Sequence, residues 1–279
     1  MRIATWNVNS LRARLDRTLG VLERWDLDVL AIQETKCRDE QFPVGAFQEA
    51  GYEVAHTGLS QWNGVAIASR VGLEDVATSF PGQPGFAKVA KADDDAAASD
   101  ALLEVEPPVE ARAIGATCGG VRVWSLYVPH GRALGDQHYE YKLTWLRNLR
   151  DVARNWAAEP DAQVALLGDW NVIPLDTDVY DVADFAGHTH VSQPERDAFA
   201  AFAEAGYTEV TREHVPAEHA YTYWDYQRLA FPKNRGLRID FGWTTPAVAE
   251  RVRTVTIDRE ERKGKGASDH VPVILELAD

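Results

Sequence analysis

The feature that most constrains this chain is a series of short apolar runs, each stopped abruptly by polar residues. Arg2–Trp6 runs into Asn7-Val8-Asn9, Asp28–Gln33 into Glu34, and Gln163–Gly168 into Asp169-Trp170-Asn171. Runs of this length and composition read as strands. Asn63–Ser69, Arg238–Trp243 and Val271–Leu277 read the same way, and Arg112–Cys118 and Val121–Val128 flank Gly119-Gly120, a two-residue hairpin signal. Helical spacing shows at Leu11, Leu15, Leu19 and Leu22, where Ser10 is the expected N-cap. It shows again at Tyr139, Leu143, Leu146, Ala153 and Trp156, and over Pro194–Ala205, which opens on a proline. Strands outnumber helices, and several neighbours suit antiparallel pairing. The expected class is therefore α/β (α+β), two mixed sheets packed face to face with helices outside. Pro81–Ala98 and Tyr221–Arg235 are the least regular stretches, and no linker divides residues 1–279 into separate domains.

Composition narrows the classes of function. The 279 residues are 45% apolar, enough for a large core, yet no run approaches the roughly 20 apolar residues of a membrane helix. Met1–Asn7 carries no apolar stretch ending in a cleavage site, so no signal peptide is expected. Two cysteines, Cys37 and Cys118, in no ligand spacing exclude a disulfide framework and a zinc–cysteine site, and favour a reducing, cytoplasmic setting. A net charge of −14 argues against binding a polyanion, but the charge is uneven. Asp93, Asp94, Asp95, Asp100, Glu104, Glu106 and Glu110 crowd one segment, whereas residues 225–266 hold ten Lys/Arg against six Asp/Glu. A nucleic-acid substrate stays open.

In extended chain, residues i and i+2 share a face, so Asn7/Asn9 and Asp169/Asn171 each present two polar side chains together. With Glu34, Tyr127, Asp240, Asp269 and His270 they form a set at strand ends, where side chains are rigid and partly buried. Taken singly, each reads equally well as a turn cap or the partner of a surface arginine. Asp240 stands out because Arg238–Trp243 places a carboxylate inside a strand, where desolvation demands a partner. Should Glu34, Asp169, Asp240 and Asp269 converge, their mutual repulsion requires a cation or an imidazolium among them. Hard oxygen ligands without thiolate select Mg2+ or Mn2+, and that combination suits hydrolysis of a phosphate ester.

Five ordered segments carry a resemblance: Trp6–Arg14 (WNVNSLRAR), Ile32–Lys36 (IQETK), Gly168–Asn171 (GDWN), Asn234–Asp240 (NRGLRID) and Ser268–Pro272 (SDHVP). Together the chain resembles the exonuclease III family of DNA-repair nucleases, within the endonuclease/exonuclease/phosphatase superfamily. The resemblance spans residue 2 to about 277, and the second and fourth segments point to the repair branch. It implies a four-layered sandwich with the site at one edge of the paired sheets. It implies a monomeric, metal-dependent enzyme of base excision repair, cutting duplex DNA 5′ to abasic sites and removing nucleotides or blocking groups from 3′ ends. By position, Glu34 would be the main metal ligand, helped by Asn7 and Asp269, with Asp169, Asn171 and His270 counted in the metal set. Asp169 would position or deprotonate the attacking water. His270, oriented by Asp240, would hold a non-bridging phosphate oxygen, and Tyr127 and Asn171 would contact the phosphate.

His130 stands where the family often has Asn or Gln, and Tyr223 where relatives carry Trp or Phe on the wall of an abasic-sugar pocket. The aromatic run Tyr221–Tyr226 also reads as plain core, Trp224 above all. Arg12, Arg14, Lys36, Lys233, Arg235 and Arg238 are the expected phosphate grips around the pocket. Two other readings share the scaffold: a phosphatase of lipids or small phosphates, and an inactive RNA-binding regulator. The Asn234–Asp240 segment disfavours the first, and the complete acidic set the second.

Overall fold

The computed structural model describes residues 1–59, 61–87 and 106–278. The acidic positions Asp93, Asp94, Asp95, Asp100 and Glu104 lie outside the described residues. In chain order the elements are β1 (Arg2–Asn7), α1 (Leu15–Arg24), β2 (Val29–Gln33), α2 (Val44–Glu49), β3 (Glu53–Thr57), β4 (Val65–Ser69), β5 (Glu74–Ala77), β6 (Ala113–Cys118) and β7 (Val121–Tyr127). Then come α3 (Gln137–Ala157), β8 (Val164–Asp169), α4 (Gln193–Glu204), β9 (Thr208–Glu209), α5 (Val210–His214), β10 (Asp240–Thr244), α6 (Pro246–Ala249), β11 (Val252–Ile257) and β12 (Val273–Leu277). They build two six-stranded mixed sheets, ordered β11-β12-β1-β2-β4-β3 and β5-β6-β7-β8-β10-β9. Each has one parallel pair at its centre, β1 with β2 and β7 with β8.

Parallel pairs are covered on both faces, and these strands read accordingly as near-continuous apolar runs. Ile3, Val29, Ala31, Ile67, Ile114, Val123, Ala165 and Leu167 fill the space between the sheets. Their strand neighbours Ala4, Leu30 and Ile32 pack outward on Val21, Leu22 and Phe47 of α1 and α2. On the far side Trp124, Leu166, Phe241 and Trp243 meet Trp145 and Leu149 of α3 and Phe199 and Phe202 of α4. The result is the expected helix–sheet–sheet–helix sandwich. Among the described residues, no helix is long and apolar enough to cross a membrane. Both cysteines are free and buried.

One expected feature is corrected. Ser10 does not cap a helix: α1 begins at Leu15, and Ser10 sits at φ 89° with its amide donating to the Glu34 carbonyl at 2.7 Å. Leu11 is nevertheless buried in the same cluster as α1. The sequence spacing marked its burial correctly and its backbone wrongly. The short edge elements β3, β5, β9 and β11, whose faces are half exposed, carry too little apolar alternation to be recognised from sequence.

Candidate active site

Register decides where the polar strand ends meet. β1 and β2 run parallel and finish together at Asn7 and Gln33, while β12 returns antiparallel and so begins at that edge, just after Asp269 and His270. In the second sheet Tyr127 pairs with Asp169 and Asp169 with Asp240, which sets the ends of β7 and β8 beside the start of β10. Gly168 makes that convergence possible, since a Cβ there would lie 1.9 Å from the Leu126 carbonyl oxygen.

Asn7 joins the two sheets at this edge. Its amide nitrogen donates to Glu34 Oε1 at 2.9 Å and to Asp169 Oδ2 at 2.9 Å, and its Oδ1 accepts from the Asn9 amide at 3.0 Å. Glu34 is thereby fixed just beyond β2 in a left-handed conformation, φ 54°. Asn9 (45°), Lys36 (52°) and Asn171 (50°) share that region of backbone space. Such conformations cost about 1–3 kcal/mol each in a non-glycine residue and persist where surrounding contacts over-determine them. Here those contacts are the site itself.

Asp169, Asp240 and His270 form a buried relay. His270 Nδ1 lies 2.9 Å from Asp240 Oδ2, which also accepts from Thr222 Oγ1 at 2.6 Å, and His270 Nε2 lies 3.8 Å from Asp169 Oδ2. Burial works against a charged His270, but the carboxylates of Asp240 and Asp169 outweigh it and raise the imidazole to about 10. Burial lifts Asp169 to about 7, with the carboxylates of Asp240 and Glu34 adding to the rise against the attraction of His270. Glu34 goes the other way: burial opposes its ionisation, yet the Lys36 ammonium at 2.7 Å and the Asn7 amide hold its carboxyl below the usual range. Burial and the adjacent Glu34 push the Tyr127 phenol well above its ordinary value, so it stays a neutral donor. Ligand atoms of Glu34, Asp169 and His270 all lie within 4.8 Å of one another.

These groups open into a cavity of about 500 Å³ also lined by His130, Asn171, Tyr223, Arg235 and Asp269. The Tyr223 ring lies 4.9 Å from that of His270, on the wall of the cavity, whereas Trp224 is core. Asp269 accepts from Asn9 Nδ2 at 3.0 Å. Asn171 turns its side chain into the protein, its Nδ2 donating to the Val128 carbonyl at 2.9 Å and its Oδ1 facing His190 Nε2 at 3.1 Å. His190, Tyr180, Phe185, Gln227 and Arg228 also line the cavity and carry no sequence signal, because they lie outside the strands and α-helices with neither periodicity nor a motif.

The expected phosphate grips divide. Arg12, Lys233 and Arg235 are exposed, and Arg235 lies 5.6 Å over the Tyr180 ring. Arg14 is tied back to the Asn9 and Gly266 carbonyls and the Tyr226 hydroxyl, and Lys36 to Glu34. Arg238 is corrected: it is buried, donates to the Val215 carbonyl at 2.9 Å and packs over Phe241, so it does not face a ligand. Arg238 lies two residues before β10, where the fold encloses it instead of turning it to the cavity.

Two sheets meeting at an acidic, histidine-bearing edge define a phosphoesterase scaffold, and residues 4–270 match the Endonuclease/Exonuclease/phosphatase family. The chain belongs to that family. Among solved structures it is similar to a 3′ phosphatase, NExo, from Neisseria, solved bound to a product DNA hairpin, at 34% identity and a TM-score of 0.88 over the whole of both chains. It is also similar to an AP endonuclease from Archaeoglobus fulgidus, at 32% identity and a TM-score of 0.84 over 99% of each chain. The exodeoxyribonuclease of Bacillus subtilis is 28% identical, with 99% of this chain and 98% of that protein covered.

Proposed function

We propose that this chain is a DNA-repair phosphodiesterase that uses Mg2+ or Mn2+ to hydrolyse duplex DNA 5′ to abasic sites and to clear nucleotides or blocking groups from 3′ ends. The observation that carries the reading is the edge cluster itself. A neutral-range carboxylate, Asp169, sits 3.8 Å from a cationic histidine, with a second, ionised carboxylate, Glu34, alongside. The relatives supply the nucleic-acid context, being a 3′ phosphatase, an AP endonuclease and an exodeoxyribonuclease.

The donor set fits a hard divalent cation. Glu34, Asp169 and Asp269 offer carboxylate oxygens without thiolate, and a cation would favour the ionised form of Asp169, which burial and then the Asp240 and Glu34 carboxylates disfavour. A cation held there supplies positive charge to the phosphate oxygens. His270 groups with Glu34 and Asp169, and its pairing with the Asp240 and Asp169 carboxylates favours the imidazolium, which suits it to donate to phosphate. Held by Asp240, its Nε2 proton serves a non-bridging oxygen of the scissile phosphate. Asp169, once ionised, orients water and takes its proton; the Asn171 amide at 2.9 Å and the Asn7 side chain fix its two oxygens for that task. Tyr127 donates from its neutral phenol to charge developing on the phosphate. Phosphoryl chemistry depends on positioning and electrostatics, and every group here is held by at least one hydrogen bond or a packed ring.

Product analysis tests the reading. Labelled duplexes bearing an internal abasic site, a blunt 3′ end or a 3′-phosphate are incubated with and without Mg2+. Metal-dependent cleavage 5′ to the abasic site, or metal-dependent release at the 3′ ends, supports it. Hydrolysis confined to a lipid or small phosphate ester would falsify it.

A further inference from the structure

Directly beneath the cavity lies a charged pair that the chemistry does not touch. Lys142 of α3 and Glu195 of α4 are both fully buried and ion-paired. Burial opposes ionisation of Glu195, but the Lys142 ammonium beside it holds the carboxyl below its usual range. The rest of each charge is committed to backbone and hydroxyls of two connections, β7–α3 and β8–α4. Lys142 Nζ donates to the Asn171 carbonyl at 2.6 Å and to the His130 carbonyl at 3.4 Å. Glu195 accepts from Thr189 Oγ1 at 2.6 Å and from Ser192 Oγ at 2.6 Å, and Thr189 Oγ1 reaches the His130 carbonyl at 3.1 Å.

We propose that the Lys142–Glu195 pair is the positioning element of the site: it holds Asn171 in its left-handed conformation, and through the Asn171 amide it aims Asp169. The inference rests on the phosphodiesterase reading above. Three features favour positioning over simple adhesion. A buried pair is weak as a source of stability, because desolvation of both ions offsets their attraction. The hydrogen bonds of Lys142 run to carbonyls of residues lining the cavity, while Glu195 closes onto Thr189 and the α4 N-cap Ser192. The Asn171 backbone spans the connection, its carbonyl on Lys142 and its amide 2.9 Å from Asp169 Oδ1. The same unit also governs His190, whose ring meets Asn171 Oδ1 at 3.1 Å and the His130 ring at a centroid distance of 4.5 Å.

Replacing Lys142 alone would strand a buried carboxylate, so the test uses Lys142→Met/Glu195→Leu, which removes both charges at similar volume. In steady state on a cleavable duplex, kcat should fall about 10- to 100-fold, the scale for misplacing a catalytic group, while KM stays within about twofold. Melting temperature is recorded beside it, and rates are taken well below the transition. Hydrogen exchange of full-length protein without substrate gives the second arm: the Asn171 and Gly131 amides should exchange about tenfold faster while Leu166 in β8 is unchanged. Unchanged kcat in the folded variant, or exchange unaltered at Asn171, overturns the inference. Should that double variant not fold, Lys142→Met/Glu195→Gln, which also leaves no buried charge unpaired and keeps an acceptor for Thr189, carries the same expectations and the same refutation. If wild-type protein cleaves no duplex, the functional reading fails by itself, and the exchange arm still decides the positioning role.

Discussion

The inner edge of the sandwich and the rim of its cavity are built on different principles. At the inner edge, Asn7, Glu34, Asp169, Asp240 and His270 are placed by strand register, and each is held by a hydrogen bond to another of them. At the rim, Tyr180, Phe185, Tyr223, Arg228 and Arg235 come from the irregular stretches after β8 and before β10. The edge concentrates charge in a buried place, so its energetics are dominated by a few strong electrostatic interactions. The rim offers aromatic faces and exposed guanidinium groups, each worth little alone. The proposed function assigns chemistry to the first and substrate choice to the second, so perturbing them should have distinguishable consequences.

The largest effect should come from removing the cation that the acidic edge fits. Excess chelator should abolish hydrolysis of an abasic duplex, and added Mg2+ or Mn2+ should restore it; a rate indifferent to chelator contradicts the metal assignment. Asp169→Asn comes next. The change is nearly isosteric and removes charge and basicity, so single-turnover cleavage should drop by at least about 10²-fold with DNA affinity retained. Near-normal turnover would transfer the base role elsewhere.

The acidity of the same edge sets a pH profile. Asp169, raised to about 7 by burial and its neighbours, works as a base only when ionised, so kcat should climb with pH through that region. His270, raised to about 10, works only when protonated, so activity should decline as pH passes that value. A cation beside Asp169 favours its ionised form. Raising metal concentration should therefore move the acid limb to lower pH and leave the alkaline limb in place, which pH–rate curves at two metal concentrations would check.

This division also explains how much could be read from sequence. The edge was legible because strand periodicity fixes which residues share a face, and because a polar residue closing an apolar run is conspicuous. Asn7, Glu34, Asp169, Asp240 and His270 all stand in or at the ends of such runs, and the family resemblance supplies the roles expected of them. The rim is legible only in part: the sequence names Tyr223 and Arg235, but not Tyr180, Phe185, His190 or Arg228. His190 and Tyr180 belong to a segment whose course depends on Asp178, which binds Arg212 and receives the Arg238 amide at 2.8 Å, a long-range arrangement with no local signature. Charge counting overstates the free basic surface for the same reason: the basic excess of residues 225–266 includes Arg238, Arg259 and Arg262, all packed on aromatic rings of this chain.

Tyr223 sits on the boundary between the two regions, its ring 4.9 Å from His270 and its face in the cavity. Tyr223→Ala should lower catalytic efficiency on internal abasic sites by roughly 10- to 200-fold, the range for losing 1–3 kcal/mol of apolar contact. A 3′-terminal nucleotide is already frayed, so release at 3′ ends should suffer less, and the metal requirement should stay put. If both activities and the melting temperature decline together, Tyr223 belongs with the core and the boundary between edge and rim must be redrawn.

The smallest effect separates two arginines three residues apart. Arg235 is exposed at the cavity and Arg238 is buried against Phe241, so only the first is placed to meet a polyanion. Binding to an uncleavable abasic duplex should weaken as salt rises despite the net charge of −14, because local phosphate contacts release counterions whatever the total charge. Arg235→Ala should reduce the slope of log affinity against log salt by about one unit, with little change in melting temperature. Arg238→Ala should do the reverse: the fold loses the packing of the long side chain and its bond to the Val215 carbonyl, so the melting temperature falls while the salt slope holds. Equal slopes for wild type and Arg235→Ala would place the DNA path away from the 225–235 loop. The remaining exposed candidates, Arg12 and Lys233, would then be the next to substitute.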